Sequence, residues 1–459
     1  MQPFDEITRY RDTVCQQIRW KKAQVGVSTE IENHLCDQRD AYMANGDDEK
    51  RATTKAITQM GDAVWIGQEL DKTHRPKPQW TLIALTGILM GIGMLVHYFI
   101  DTAESSHYTF SPLPFIVAWV LFVACYFIDF SVFGRYPLQF YMATLILSIA
   151  GISLSTATYY GQAFWVLGPF SISFAYLSLL FPVAFALLVY AMRSRGYWGI
   201  LLSGIGFFPL AIILLMTPTL VGFVSYTLSA LCVLCFAISR GWFKVHKTRG
   251  LLLVLLPTFT TLTFSLLFLA QYYTQRFWSF FHPDQNPFGT GYVYNLIRDF
   301  LSQAQFFGQG DFPESGVVPA SLPFIKTVYP LTFLAHQFGV VFLAVIIVFL
   351  AIFAVFSLYK AWKEKSVLGA LIALSIALTF ILQCTFYLAA NLGYGLIAPL
   401  SLPFISYGKS ALFLNAALTG FMLSIFRTGE AYEEHQITSR RELAFISYKD
   451  GTLSIRLKG

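Results

Sequence analysis

Charge is what this sequence has least of. Only 13% of its 459 residues are Asp, Glu, Lys or Arg, against 55% hydrophobic. A soluble globular chain carries about a quarter charged residues, so this composition argues against a water-soluble enzyme. Cysteine is scarce as well. Cys15, Cys36, Cys125, Cys232, Cys235 and Cys384 show no disulfide-framework spacing. Cys232 and Cys235 lie inside an apolar run, where packing is expected rather than redox or metal chemistry. No apolar run precedes Trp80, so no secretory signal is expected. Residues 1–79 carry both charge signs without a basic block, which argues against a nucleic-acid partner.

Long apolar runs are what the chain has instead. From Trp80 onward they recur at about 20 residues, the length that crosses a hydrocarbon core as helix. Ten spans are expected, near 80–100, 113–133, 137–155, 169–191, 197–217, 219–239, 250–271, 331–357, 367–390 and 403–426. Orientation follows from Lys and Arg in short loops. Arg135, Arg193, Arg195, Arg240, Lys244, Lys247, Arg249, Lys360, Lys363 and Lys365 fall in alternate loops, whereas 101–112, 156–168 and 391–402 have neither residue. Both termini are therefore expected in the cytoplasm and the long loop 272–330 outside. A loop of that length is expected to have a function or structure of its own.

The predicted fold class is thus all-α, a polytopic membrane protein. A small helical domain is expected at 1–79, a transmembrane domain at 80–427 and a cytoplasmic tail at 428–459. In 1–79, Thr29 and Glu32 read as a capping box that starts a helix, and Asn45-Gly46 as its stop. A second helix is stopped by Gly61, and Asp62 caps a third. Ile31, Leu35, Ala52, Ala56, Ile57, Met60 and Trp65 are expected to form one small core. The pattern IENHL…D…NG…A…AITQMGD resembles the short helical domain before the membrane part of some bacterial permeases, which implies a regulatory or docking module; a stabilising cap is the other reading. In the tail, alternating segments flank Asp450-Gly451 and predict a hairpin.

The chemistry-bearing stretches lie near the ends of apolar runs. SLPFISYGKS (401–410) breaks regular helix at Pro403 and Gly408. Such backbone is tolerated at membrane depth only where it is buried in protein or lines a wet cavity. Pro403 fits a first helical turn, and Ser406, Tyr407 and Ser410 are expected to offer hydroxyls to a polar cleft. The other reading of the stretch alone is a helix entry with an interfacial Tyr.

LPFISYGKSALFLNAALTGFMLSI resembles the last-helix signature of the SEDS family, the FtsW, RodA and SpoVE cell-wall proteins, whose usual form is LPFxSYGGSS. Lys409 replaces a Gly. FWSFFHPDQNPFGTGYVYN (277–295) resembles the family's FLNPxxDPxGxGYQ, through Pro283, Pro287, Gly289, Gly291 and Tyr292, with Arg276 matching a family Arg before it. FFGQG…SLPFIKT resembles xxGxG…FLPExHTD. AFWVLGPFSISFAYLSL resembles RRWIxLGxFSxQPSExxK, and PTLVG sits where the family has PDLGT. The likeness covers 80–427. It implies about ten spans, binding of a lipid-linked cell-wall precursor (lipid II or similar), and polymerisation of glycan on the outer face. It also implies a partner, a class B penicillin-binding-type transpeptidase or another membrane protein, and roles in cell division, cell shape or sporulation.

Carried residue by residue, the resemblance loses its acids. The family's catalytic Asp position is Val328 and its His position is Lys326; Thr327 is kept. Two further acidic positions are His336 and Gln337. The Glu and Lys of the fourth span are Tyr176 and Leu179, the Asp of PDLGT is Thr219, and the Asp of NPxxDP is Asn286. Glycosyl transfer to a hydroxyl needs a general base within reach, which Val cannot be. No cofactor is expected. The family's divalent cation would be needed only by an active enzyme, and the lost carboxylates are its ligands. Of the loop acids Asp284, Asp299, Asp311 and Glu314, Asp311 and Glu314 are the candidate substitutes, Asp311 because it follows the GQG amides. Arg276, Arg298 and Lys326 make the loop cationic. Substrate binding is expected at Arg276, Lys326, Thr327, Pro403, Ser406, Tyr407, Gly408, Lys409 and Ser410. The expected function is binding of a polyprenyl-diphosphate-linked substrate in an outward cleft. The alternatives are a glycosyltransferase with a relocated base, a non-catalytic scaffold, or a lipid-linked precursor transporter.

Overall fold

The computed structural model describes residues 3–103, 111–155, 157–159, 162–167, 170–217, 219–260, 291–311, 324–394, 399–406, 408–429, 446–449 and 452–455, with single residues 263, 278, 282, 285 and 322. Two compact units divide the chain. One comprises residues 1–78 with 426–459 and the other residues 79–425.

The first unit contains four helices, α1 (Pro3–Gln17), α2 (Lys21–Ala44), α3 (Glu49–Met60) and α4 (Ala63–His74). Ile7, Tyr10, Val14, Ile18, Val27, Ile31 and Leu35 form its core with Ala56, and Ile57, Met60, Ile66 and Leu70 pack against it. Three of those eight, Ile7, Tyr10 and Val14, lie on α1, a helix outside the expected core set. Two expectations are corrected. Thr29 does not start a helix: it lies inside α2, and its hydroxyl donates to the Val25 carbonyl at 3.1 Å. Trp65 is 61% exposed, because the α4 face that meets α1 runs through Gly67, where a Cβ would stand 2.7 Å from the Val14 carbonyl. The expected stops are present: Gly46 and Gly61 have φ of 97° and 95°, and the Asp62 carboxylate accepts from the Trp65 amide at 2.8 Å. Ile446–Lys449 and Thr452–Ile455 pair antiparallel as a hairpin.

The second unit is a bundle of apolar helices, and the protein is an all-α polytopic membrane protein. Among the described residues, six helical stretches are long and apolar enough to cross a membrane. They include α5 (Trp80–Ala103), α11 (Leu220–Ser239), α15 (Val340–Lys363), α16 (Val367–Asn391) and α17 (Lys409–Thr428). The remaining one, Phe174–Met216, is turned at Gly196 (φ 60°) into α9 (Phe181–Met192) and α10 (Gly196–Met216). Gly206 of α10 seats the Leu188 side chain of α9. Shorter apolar helices are α6 (Leu113–Phe127) and α8 (Pro137–Ser153), with α7 (Ser131–Arg135) between them. Residues 247–260 form α12; the rest of the expected span to 271 lies outside the described residues, 263 apart.

Several expected spans begin later than their hydropathy does. Phe170–Ser173 is the last strand of a small antiparallel meander with Ala157–Tyr159 and Gln162–Leu167. The expected span 331–357 is two helices, α14 (Pro330–Phe338) and α15, parted at Gly339 with φ 98°. A Cβ at Gly339 would crowd the backbone of Phe306 and Phe307, so close approach as well as conformation demands glycine. The last helix starts at Lys409, not at Pro403. Within the long loop, α13 (Tyr292–Ser302) buries Leu296, Ile297 and Phe300.

The most enclosed span is α16, and its sequence explains why. Ser375, Thr379, Gln383, Tyr387 and Asn391 recur every fourth residue, and all are buried. Residues four apart share a helix face, so they form one polar ridge. Ser375 and Thr379 spend their hydroxyls on their own helix, on the Ile372 and Ser375 carbonyls. The other three reach out of it.

Candidate functional site

The site is built from two copies of one pentapeptide. SLPFI occurs at 321–325 and again at 401–405. Phe324 and Phe404 both take a left-handed backbone, with φ of 56° and 65°, which is costly for a bulky aromatic residue. The first copy closes a turn in which the Phe324 carbonyl accepts from the Thr327 and Val328 amides at 3.0 and 2.8 Å. In the second, the Ser406 amide donates to the Leu402 carbonyl at 3.2 Å, and the Leu402 amide donates to the Ser406 hydroxyl at 2.9 Å. Phe404 is fully buried against Phe353 and Phe380, whereas Phe324 is 61% exposed.

The polar ridge of α16 ties both turns to one helix. The Gln383 amide donates to the Ser401 carbonyl at 2.5 Å. The Ser406 hydroxyl donates to the Tyr387 phenol at 2.9 Å, and that phenol donates to the Thr327 carbonyl at 3.3 Å. Asn391 donates to the Val328 carbonyl at 2.8 Å, and its own oxygen accepts from the Thr332 amide at 3.1 Å. A buried backbone group must find such a partner, and here the partners come from three successive turns of a single helix. On the other side, the Tyr176 and Ser401 hydroxyls bond each other, and the Ser173 amide donates to the Ser410 hydroxyl at 3.1 Å.

The first membrane helix closes the arrangement. Gly93, His97 and Asp101 stand on one face of α5 at four-residue spacing. A Cβ at Gly93 would collide with the Phe404 carbonyl. His97, 4% exposed, meets the Ile405 carbonyl at 2.7 Å. Asp101 pairs with Lys326 at 3.5 Å, the two side chains 20% and 28% exposed. None of the three belongs to a motif stretch. Their signal was present as a spacing of four, hidden inside a run otherwise read for length alone.

The predicted site residues divide. Lys326, Thr327, Val328, Pro403, Ser406, Gly408, Lys409 and Ser410 lie in the two turns or at the start of α17. Ser406 and Ser410 do not offer open hydroxyls to a cleft, because each is engaged within the protein. Pro403 belongs to a turn, not to a helix start. Gly408 approaches Ser401, whose Oγ a Cβ would meet at 2.7 Å. Lys409 is half-buried as the first residue of α17.

Asp311 is exposed and takes a 3.4 Å bond from the Gln305 amide. Two of the three GQG amides are engaged within the protein: Gly308 and Gly310 donate to the carbonyls of Phe338 and His336, and the Asp311 amide that follows donates to that of Gln303. His336 is buried, with Nε2 against the Asp311 carbonyl at 3.0 Å. Gly291 caps α13 with φ of −84°, and Tyr292 is its first residue. Arg298 stacks over Tyr394 at 5.8 Å. The Asp129 carboxylate accepts from the Ser131 amide, capping the short helix that follows. Arg276, Pro283, Asp284, Asn286, Pro287, Gly289, Glu314 and Tyr407 lie outside the described residues.

Burial raises the Tyr329 phenol, beside the first turn, to about 12, so it stays protonated at neutral pH. Among the described residues, no three His, Cys, Asp or Glu side chains stand together as metal ligands. Asp101, the carboxylate paired with the first turn, already faces the Lys326 ammonium. Among the described residues, then, no carboxylate set fits a divalent cation.

Residues 75–430 match the FtsW/RodA/SpoVE family, described as a cell cycle protein. The probable peptidoglycan glycosyltransferase FtsW of Halothiobacillus neapolitanus is 25% identical over 343 residues, covering 69% of this chain and 77% of the relative. Among solved structures, one described as "Structural coordination of polymerization and crosslinking by a peptidoglycan synthase complex" has a TM-score of 0.61 at 20% identity, covering 78% of this chain and 99% of that one. The rod shape determining protein RodA of Thermus thermophilus has a TM-score of 0.52 at 16% identity, covering 78% and 98%. At those identities the two structures speak for the fold alone. The family match spans most of the chain, and the protein is a member of the FtsW/RodA/SpoVE family.

Proposed function

We propose that this protein works in bacterial cell-wall synthesis and holds a lipid-linked, polyprenyl-diphosphate precursor of the lipid II type at the paired turns 322–329 and 401–410. The observation that carries the reading is their convergence. The two stretches that carry the strongest and the catalytic family motifs are braced by one helix, and each contributes a lysine, Lys326 and Lys409. Ammonium groups of this kind make charge-assisted bonds to a diphosphate, and a braced backbone lowers the cost of organising a site. The relatives named as probable peptidoglycan glycosyltransferases supply the substrate class. The Lys/Arg asymmetry puts the N-terminus, the 240–249 loop and the C-terminus in the cytoplasm, and the turns on the outer face of the plasma membrane. A class B penicillin-binding-type transpeptidase is the proposed partner, since the fold is shared with a component of a peptidoglycan synthase complex.

One observation favours a second reading. Val328 stands at the family's carboxylate position, and Asn391 holds it by its backbone alone. A scaffold needs the fold and the partner surface without a base. Binding of undecaprenyl diphosphate to the purified protein in nanodiscs separates the two. The precursor reading expects saturable binding, weakened by about 1–3 kcal/mol in Lys326→Met or Lys409→Gly, the scale of a lost charged hydrogen bond. Co-purification of a transpeptidase by a protein with no affinity for the lipid is the scaffold result.

A further inference from the structure

From the contact between α5 and the first SLPFI turn we infer that Asp101 is the carboxylate of this site, doing from the first membrane helix what Val328 cannot do from the loop. The inference rests on the precursor reading above and adds catalysis to it.

Position comes first. Lys326 lies two residues before Val328 in the same turn, and its ammonium is 3.5 Å from the Asp101 carboxylate. The turn cannot drift from its neighbours, since Tyr387 holds the Thr327 carbonyl and Asn391 holds that of Val328. Nor can α5 slide: Gly93 is pressed on the Phe404 backbone and His97 is bonded to the Ile405 carbonyl. Asp101 is thus fixed against both turns at once, by contacts spread over two turns of helix below it.

Chemistry comes second. Asp101 and Lys326 are partly enclosed but still reach the surface, at 20% and 28% exposure. An ionised pair at the end of a membrane helix carries a desolvation cost. A tie between helix and turn needs no charge, as the hydroxyls and amides of Tyr387 and Asn391 demonstrate a few residues away. Among the described residues, the other acids of this unit are placed differently. Asp129 caps the short helix α7, the Glu364 carboxylate accepts from the Ser366 amide, and exposed Asp311 takes its bond from Gln305. Asp299 is half-buried on α13, whose Phe300 ring packs on His336.

The step balances without any further reagent. An acceptor sugar hydroxyl gives its proton to the Asp101 carboxylate while its oxygen bonds the anomeric carbon of the donor. The bond from that carbon to the diphosphate oxygen breaks, and its electron pair stays on the departing polyprenyl diphosphate, which Lys326 faces.

The test uses the full chain in nanodiscs with lipid II, reading glycan polymer on gels, lipid affinity and the thermal melting point. Asp101→Asn should lower polymer yield at least about 100-fold, the contribution of a general base, while lipid binding is no weaker, because the Lys326 ammonium then keeps its full charge for the diphosphate. The exchange Asp101→Lys with Lys326→Asp restores a salt bridge without returning the carboxylate to α5. It should stay inactive even where it melts like the unaltered protein. Polymer from D101N at the unaltered rate, or activity regained in the exchange, overturns the inference and leaves precursor binding standing. An unaltered protein that binds the lipid and makes no polymer also overturns it and points to the scaffold. No binding at all removes the precursor reading itself.

Discussion

Tyr387 stands between two turns that are 80 residues apart in sequence, receiving the Ser406 hydroxyl at 2.9 Å and donating to the Thr327 carbonyl at 3.3 Å. One phenol therefore couples the two stretches on which the function is proposed. Its geometry makes the site testable at a single atom. Tyr387→Phe keeps the ring and deletes both bonds. Interhelical hydrogen bonds in membranes average about 0.6 kcal/mol, so the expected loss is about 0.5–2 kcal/mol, read as a lower melting point in detergent. Asn391→Leu should cost more, because it strips the Val328 carbonyl and the Thr332 amide together. Equal melting of both variants and the unaltered protein would remove α16 as the brace.

Two glycines of α5 provide a matched pair. A methyl at Gly93 collides with the Phe404 carbonyl, whereas Gly91 has nothing within 4 Å of the same added atom. Gly93→Ala should destabilise by about 1–3 kcal/mol, as overpacking does, and should reduce binding of a diphosphate lipid by displacing the second turn. Gly91→Ala should be neutral or raise stability by up to about 1 kcal/mol, since Ala is the better helix former. Thermal melts of the two side by side decide it; a harmless Gly93→Ala would mean that α5 does not bear on the turn.

The repeated Phe should answer differently in its two copies. Both pay for a left-handed backbone, which Gly adopts freely. Phe404→Gly also deletes a fully buried ring and should cost about 3–5 kcal/mol. Exposed Phe324→Gly loses little packing and should fall within about 1 kcal/mol of the unaltered protein. Chemical denaturation in detergent measures both, and similar losses at the two positions would contradict the assigned burial.

The N-terminal helices have a core of their own, so residues 1–75 expressed alone should give a helical circular-dichroism spectrum. Leu35→Ala, at a fully buried position, should unfold them, because about 2–5 kcal/mol is a large share of a small domain's stability. Tyr10 adds a pH test. Its phenol donates to the Gly61 carbonyl at 3.1 Å, and burial, then the nearby Asp62 charge, raises its folded pKa above 10. A raised folded value means that the protonated phenol stabilises the fold. That contribution is complete below pH 10 and fades as pH climbs through the higher folded value. Tyr10→Phe should flatten the alkaline decline; an unchanged decline would assign it to other groups.

Sidedness can be read directly. Cysteine introduced at Ser315 should react with an impermeant reagent from outside, and one at Thr248 should not. The reverse pattern would invert the membrane orientation proposed from Lys and Arg.

The sequence by itself determined the class of fold and the family. Hydrophobic run length decides membrane insertion before any tertiary contact forms, and the motif stretches 281–292 and 403–408 carry their resemblance locally. Helix ends at Gly46, Gly61 and Asp62 were legible for the same reason, since caps depend on neighbours within a turn. What only the tertiary structure decided are the long-range partners. Hydropathy says that α14 and α15 are one apolar run; the backbone of Phe306 and Phe307 at Gly339 parts them. It says that α5 is a span; contact with Phe404, Ile405 and Lys326 turns Gly93, His97 and Asp101 into one working face. Ser406 reads as a hydroxyl for a ligand until α16 arrives with Tyr387 and takes it. A buried polar group must be satisfied by whatever the fold brings to it, and that is a property of the packed bundle, not of the residues beside it in the chain.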